Sequence, residues 1–397
     1  MADVLKRVLG EGFRVFFLAA GVFAVVVLGW WELYLSGLYG GGPEVSIPFA
    51  MSPHDWHSHE LVFGYGGAAL GGFLLTAVPN WTGAPGARRV FIGIAAGVWL
   101  FGRIATFWSG ALPLWLAAMA DLAFLPILWS KIAHLLTRRP KPQNVLFLAF
   151  LSLLWVADLA TWLGWGDLWP NGAATGTRAG LLALAGMILV IAGRVGPGFT
   201  RNAMHREGVA TDRLPRDWPG FTPLMLAAAV LLPVTALAVP GSILAALVAV
   251  VAGGAQLARQ SRWGFVFAAR QPILATLHLS AATTGLGLMM MGFSRFTLLS
   301  EVAALHLLAI GGIGGMTLAM MSRATLGHSG RPLVAPRAVA LAYALVPVAA
   351  GLRWAASEWM GAVYVPAILV AGGLWIAAFS LYVGALLPAL IGPRLDR

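Results

Sequence analysis

The stretch SPHDWHSHELVFGYGGAALGGFLLTAVPNWTG, residues 52–83, sets His54, His57 and His59 directly before a glycine-laden apolar run. A histidine carried into hydrocarbon is costly unless it is paired, so an intramembrane imidazole marks a site by default. The chain has eight histidines and no cysteine. Thiolate metal sites, iron–sulfur clusters, disulfides and covalent attachment of haem through CxxCH are excluded, and any metal or haem must be held by His, Met or carboxylate.

Depth decides which histidines can act together. His59 is followed by Gly64, Gly66, Gly67, Gly71 and Gly72, and His306 by Gly311, Gly312, Gly314 and Gly315. His59 lies about 20 residues before Pro79 and His306 about 17 before Arg323, which at about 1.5 Å per residue places both in the outer half of the bilayer. Matching depth is what two axial ligands of one haem require, with Glu60 as an acceptor that orients one ring. The glycines admit either a flat macrocycle or a close neighbouring helix.

His278 is placed on the order of 10 Å deeper by helix rise, toward the inner side. It is either a ligand of a second centre or a satisfied core residue, and His328 at the inner end of the tenth span can reach toward it. His57 and His59 cannot both face inward on one regular helix. His54 and His57 are therefore expected in the outer loop before the second span, where a copper ion with imidazole ligands is chemically sensible. His134 and His205 sit among loop arginines and read as solvated. Arg103, Asp121 and Asp158 fall inside apolar spans, so each needs an ion pair, a proton path or a haem propionate. The methionines at 289–291, 316, 320 and 321 are read as packing filler before copper ligands.

The elements that must position these groups are membrane helices. A chain that is 59% hydrophobic and 10% charged, with a mean hydropathy of +0.82, is too apolar to present a polar surface to water. Apolar runs of roughly 18 to 25 residues predict about twelve spans, starting near Phe13, His59, Val90, Leu112, Val145, Thr177, Phe221, Ser242, Gln271, Glu301, Ala335 and Ala362. The fold class is thus all-α and polytopic, one integral membrane domain over residues 1–397 with no soluble domain left over. The apolar segment from about Val15 to Trp31 is long for a signal peptide and is read as a retained first helix.

Charge sets the expected orientation. Connectors carrying Arg88 and Arg89, then Lys131 through Lys141, Arg194 through Arg216, Arg259 through Arg270, and Arg323 through Arg337 alternate with connectors of little charge. By the positive-inside rule both termini are cytoplasmic. The net charge of +11 is dispersed over these connectors, so no nucleic-acid partner is expected. Trp30, Trp31, Trp108, Trp115, Trp162, Trp165, Trp169, Trp354 and Trp359 read as an interfacial belt. The polar stretch GRVGPGFTRNAMHREGVATDRLPRDWPG is expected to be a cytoplasmic loop.

At four segments the chain resembles the NnrS family of bacterial membrane proteins: HSHELVFGYGGAALGGFLLTAVPNWTG from His57, GRVGPGFTRN from Gly193, RQPILATLHLS from Arg270, and LHLLAIGGIGGMTLAMMSRATLGHSGR from Leu305. The resemblance implies a twelve-helix haem and copper protein of the bacterial inner membrane, linked to nitric oxide metabolism, denitrification and nitrosative stress. It does not supply a reaction. A weaker likeness is to the catalytic subunit of haem–copper oxidases and nitric oxide reductases, in which histidines of helices two and ten hold a low-spin haem. His59 and His306 match that pair, but Ala304 and Leu308 stand where a further histidine is needed and spans six and seven carry none. An oxidase-type dinuclear centre is not encoded.

The preferred expectation is a b-type haem with His59 and His306 as axial ligands, Arg103 beside it, and His57, His278 and His328 as candidates for copper or a second haem. Nitric oxide or a related small molecule is the expected partner, with membrane lipid around the protein and an electron donor that the residues do not identify. The competing expectation is a multi-pass transporter of haem, metal or a small nitrogen compound, its path lined by Arg103, Asp121 and Asp158.

Overall fold

A computed structural model describes residues 2–139, 141–359 and 361–395. Among these, regular structure is entirely helical. Twelve helices are long and apolar enough to cross a membrane: α1 (Gly12–Gly40), α2 (Pro53–Thr82), α3 (Arg89–Phe107), α4 (Leu114–Leu136), α5 (Gln143–Trp165), α6 (Gly172–Arg206), α7 (Phe221–Ala238), α8 (Ile243–Gln260), α9 (Pro272–Phe293), α10 (Glu301–His328), α11 (Arg337–Trp359) and α12 (Gly361–Ile391). The expected polytopic, all-α class is therefore observed. Large apolar side chains such as Val26, Phe101, Met119 and Leu247 are exposed along these helices, as lipid-facing positions must be.

Three boundaries differ from expectation, among them the start of α6, at Gly172 rather than near Thr177. The second helix begins at Pro53 rather than near His59, so His54 and His57 lie on it and not in a preceding loop. The sequence S-P-H-D explains this: Ser52 caps the helix by accepting the Asp55 N–H at 3.1 Å, and Pro53 occupies the first turn, where its missing N–H costs nothing. The third is the end of α6, which continues through Pro197 to Arg206, making residues 193–206 helix instead of loop. Trp263 packs where a side chain on Gly196 would stand. Arg201 of α6 donates to the Pro215 carbonyl of the following connector at 2.8 Å, and Asp217 accepts from Arg259 and from the Trp263 indole at 3.0 and 2.9 Å. These bonds anchor the connector and hold the extra turns in place.

The chain divides into two compact units, Met1–Gly180 with Met321–Leu333 and Tyr382–Arg397, and Leu181–Met320 with Val334–Leu381. In the first unit the glycines of α2 serve close helix packing. A side chain on Gly71 would press on Phe124 and Phe16, and one on Gly72 on Phe17. Arg14 of α1 closes the far end of α12, donating to the carbonyls of Ala389, Leu390 and Gly392 at 2.9–3.1 Å, groups that no later turn can satisfy.

In the second unit small residues let backbones approach in the same way. Gly285 of α9 lies against the Gly253 backbone of α8, and Gly287 against the Leu308 backbone of α10. Gly311, Gly312 and Gly315 face Thr283, Thr284 and Ser280 of α9. In both helices the segment directly after the histidine is π-helical, Glu60–Tyr65 in α2 and Leu307–Gly314 in α10. Such insertions widen the turn and recur at functional sites.

Candidate metal centre

The first unit carries a fully buried cluster of charged groups drawn from α2, α3, α4 and α5. His59 stands at the end of the regular turn of α2, where the π segment begins. Glu60 follows it, and Arg103 comes from α3. Asp121 sits where α4 is broken at Ala123. Pro126 cannot donate to the Leu122 carbonyl four residues earlier, and the Trp155 indole of α5 supplies that bond at 3.1 Å. Asp158 and Trp162 lie one turn apart on α5 and so present to the same side.

The geometry converges on the His59 ring. Its Nδ1 faces Glu60 Oε1 at 2.9 Å, and its Nε2 faces Asp158 Oδ1 at 3.0 Å and Asp121 Oδ2 at 3.1 Å. Arg103 donates through Nη1 to Glu60 Oε1 at 2.7 Å and through Nη2 to Asp121 Oδ1. The Trp162 indole donates to Asp121 Oδ2 at 2.7 Å. Phe63 and Trp165 pack on the imidazole with ring centroids 5.0 Å away. His59 is 0% exposed, Glu60 1%, Asp158 2%, Asp121 3% and Arg103 6%, so water does not share the neutralisation of these charges. One nitrogen of His59 and one oxygen from each of Asp121 and Asp158 lie within 4.8 Å of one another, a set that can hold a metal ion.

The other histidines are placed as follows. In the second unit His278 is 0% exposed, its Nε2 is 2.8 Å from Thr200 Oγ1, and its Nδ1 has no hydrogen-bond partner among the described residues. Gln260 holds the backbone beside it through the His278 carbonyl at 2.7 Å. His306, also in the second unit, donates its Nδ1 proton to the Val302 carbonyl at 2.8 Å, which leaves Nε2 as a lone pair. In the first unit His57 stacks on Trp31 at 4.3 Å, exposed His54 meets the edge of the same indole at 5.1 Å, and His328 packs on Phe13 at 5.6 Å. His134 and His205 are exposed.

The structure thus brings His59 and Arg103 together with Asp121 and Asp158, residues the sequence marks as buried polar groups without joining them. Trp162 is the residue that sequence reasoning misplaces. It is 3% exposed and bonded inside the cluster, not part of an interfacial belt. The one signal for it is its spacing of four from Asp158. The glycines after His59 are occupied by aromatic packing rather than by an open slot. A side chain on Gly64 would meet the Phe23 ring at 2.6 Å and Arg103 Nη1 at 3.0 Å.

Twelve helices long and apolar enough to span a membrane, with a buried histidine–carboxylate cluster in the first unit, define a multi-pass membrane protein with groups that could hold a metal. The family model described as NnrS protein matches residues 7–394. The chain belongs to the NnrS family, a family associated with metal and haem. No curated protein matches it.

Proposed function

We propose that this protein acts in the bacterial response to nitric oxide at the cytoplasmic membrane, binding nitric oxide or passing electrons through a histidine-held b-type haem. Family membership supports the nitric oxide role. The observation that carries the haem assignment is the tautomer of His306. Its Nδ1 proton is committed to the Val302 carbonyl, so Nε2 is presented as a fixed, neutral donor, the arrangement a metal-ligating imidazole needs.

His278 is a second candidate ligand, because burial of an unpartnered Nδ1 is costly unless something completes it. His59 Nε2 is engaged by Asp121 and Asp158 within its own unit. His57 and His328 remain candidates for copper, each packed against an aromatic ring, Trp31 and Phe13 respectively. When bound, haem supplies a one-electron couple and an open or displaceable iron position for a small gas. The protein's own part is to fix the ring nitrogens and to exclude water around them.

Reduced-minus-oxidised spectra of the purified protein and of the His306→Ala, His278→Ala and His59→Ala variants test the reading, with nitric oxide added to the reduced samples. The expected outcome is a b-type spectrum in the wild type that is lost in His306→Ala. A wild-type protein without haem sinks it and leaves the transporter reading standing.

A further inference from the structure

We infer that His59 Nε2, Asp121 Oδ2 and Asp158 Oδ1 form a mononuclear, non-haem site for a divalent first-row cation of the Fe2+, Mn2+ or Zn2+ type. The inference does not rest on the haem or the nitric oxide reading, and it gives His59 a role separate from axial ligation of haem.

Charge is the first support. Among the ion pairs described, Glu60, Asp121 and Asp158 bring three carboxylates to the cluster and Arg103 one guanidinium, so with a neutral imidazole these groups carry a net charge of −2. In a site whose members are at most 6% exposed, such an excess is far more costly than at a surface. One divalent cation cancels it.

Geometry is the second. With metal bonds of about 2.1 Å, donor separations of 3.0 and 3.1 Å from Nε2 to the two carboxylate oxygens correspond to angles of about 90° to 95° at the ion. Tetrahedral coordination would set the donors about 3.4 Å apart for the same bonds. Each carboxylate oxygen is thus spaced from Nε2 as a neighbouring position of an octahedron, with all three donors within 4.8 Å of one another, and an ion held by three protein donors keeps further positions for water or a small ligand. One imidazole with two carboxylates suits borderline to hard divalent ions and contains none of the soft sulfur donors that select Cu(I).

The supporting shell is the third. His59 turns its other nitrogen to Glu60 at 2.9 Å, and Arg103 holds Glu60 in turn at 2.7 Å. A carboxylate behind a ligating histidine fixes its tautomer and aims its free nitrogen at the metal. The Trp162 indole and Arg103 pin Asp121 at both oxygens. Two of the three donor side chains are thus locked before any ion enters.

The test uses the full-length protein in detergent. Metal analysis of the purified wild type is expected to find one divalent first-row ion per chain. After chelation the protein is expected to take up one equivalent of Co2+ with the weak visible bands of a six-coordinate ion. Asp158→Asn and Asp121→Asn should weaken Co2+ binding at least about tenfold, with haem content read on the same samples. Wild-type protein that carries no such ion and binds no Co2+ overturns the inference, since the two charges are then met by protons. Binding unchanged in both variants overturns it as well. Haem without the divalent ion sinks this site alone; the ion without haem sinks only the haem reading.

Discussion

His59 Nε2 and Asp158 Oδ1 are 3.0 Å apart although 99 positions separate them in the chain. The contact joins α2 to α5 in the interior of one compact unit, and Asp121 of α4 meets the same nitrogen at 3.1 Å. Three helices are therefore tied at one atom of one imidazole, and the properties of the first unit depend on how those charges are balanced.

Arg103 is paired with Glu60 and Asp121 in that cluster. Arg103→Leu removes the guanidinium that bridges Glu60 and Asp121 and is expected to cost about 3–5 kcal/mol. Thermal unfolding in detergent should show a clear fall in Tm. Arg103→Lys should recover part of it, since the charge returns without the fork that bridges two carboxylates.

Trp162→Phe keeps the aromatic packing against His59 but removes the indole proton from Asp121 Oδ2. Leaving a buried carboxylate oxygen short of a donor is expected to cost about 1–3 kcal/mol. Chemical denaturation compared with Trp115→Phe, at an exposed position, separates this loss from a general effect of removing tryptophan.

Gly64→Ala puts a methyl group at 2.6 Å from the Phe23 ring and 3.0 Å from Arg103 Nη1. Arg103 is buried in the cluster and Phe23 is half-buried against Trp99, so neither withdraws freely and overpacking of about 1–3 kcal/mol is expected. Because Arg103 is one of the displaced groups, metal content should fall together with stability, whereas Gly29→Ala, with nothing within 4 Å, should leave both unchanged.

Ser52→Ala removes the cap that starts α2 at Pro53. A loss of about 1 kcal/mol is expected, with faster hydrogen exchange over residues 53–57. Exchange unchanged in that stretch would show that the first turns are held by aromatic packing, His54 and His57 on Trp31 and Trp56 on Phe49, rather than by the cap.

Much of the architecture is legible without coordinates. Each span must satisfy its own backbone in lipid, which forces apolar runs of helical length, and those runs place the starts of the helices within about two residues, save those of α2 and α6. The misplaced start of α2 and end of α6 have local causes. Capping chemistry outweighed polarity at Ser52–Pro53, and tertiary anchoring by Arg259, Trp263 and Asp217 kept a Gly- and Pro-containing stretch helical.

The sequence by itself determined that His59, Arg103, Asp121 and Asp158 are buried in membrane helices and so must find partners, because an isolated charge in hydrocarbon is too costly to persist. It also determined that His306 heads a glycine-rich helix like that of His59. Only the tertiary structure decided which partners meet. Helical periodicity gives the face of each residue relative to its own axis and says nothing of which axes adjoin. The gathering of Asp121 and Asp158 at one nitrogen follows from the break at Ala123, the π segment after His59, and the packing of phenylalanine rings on the glycines of α2.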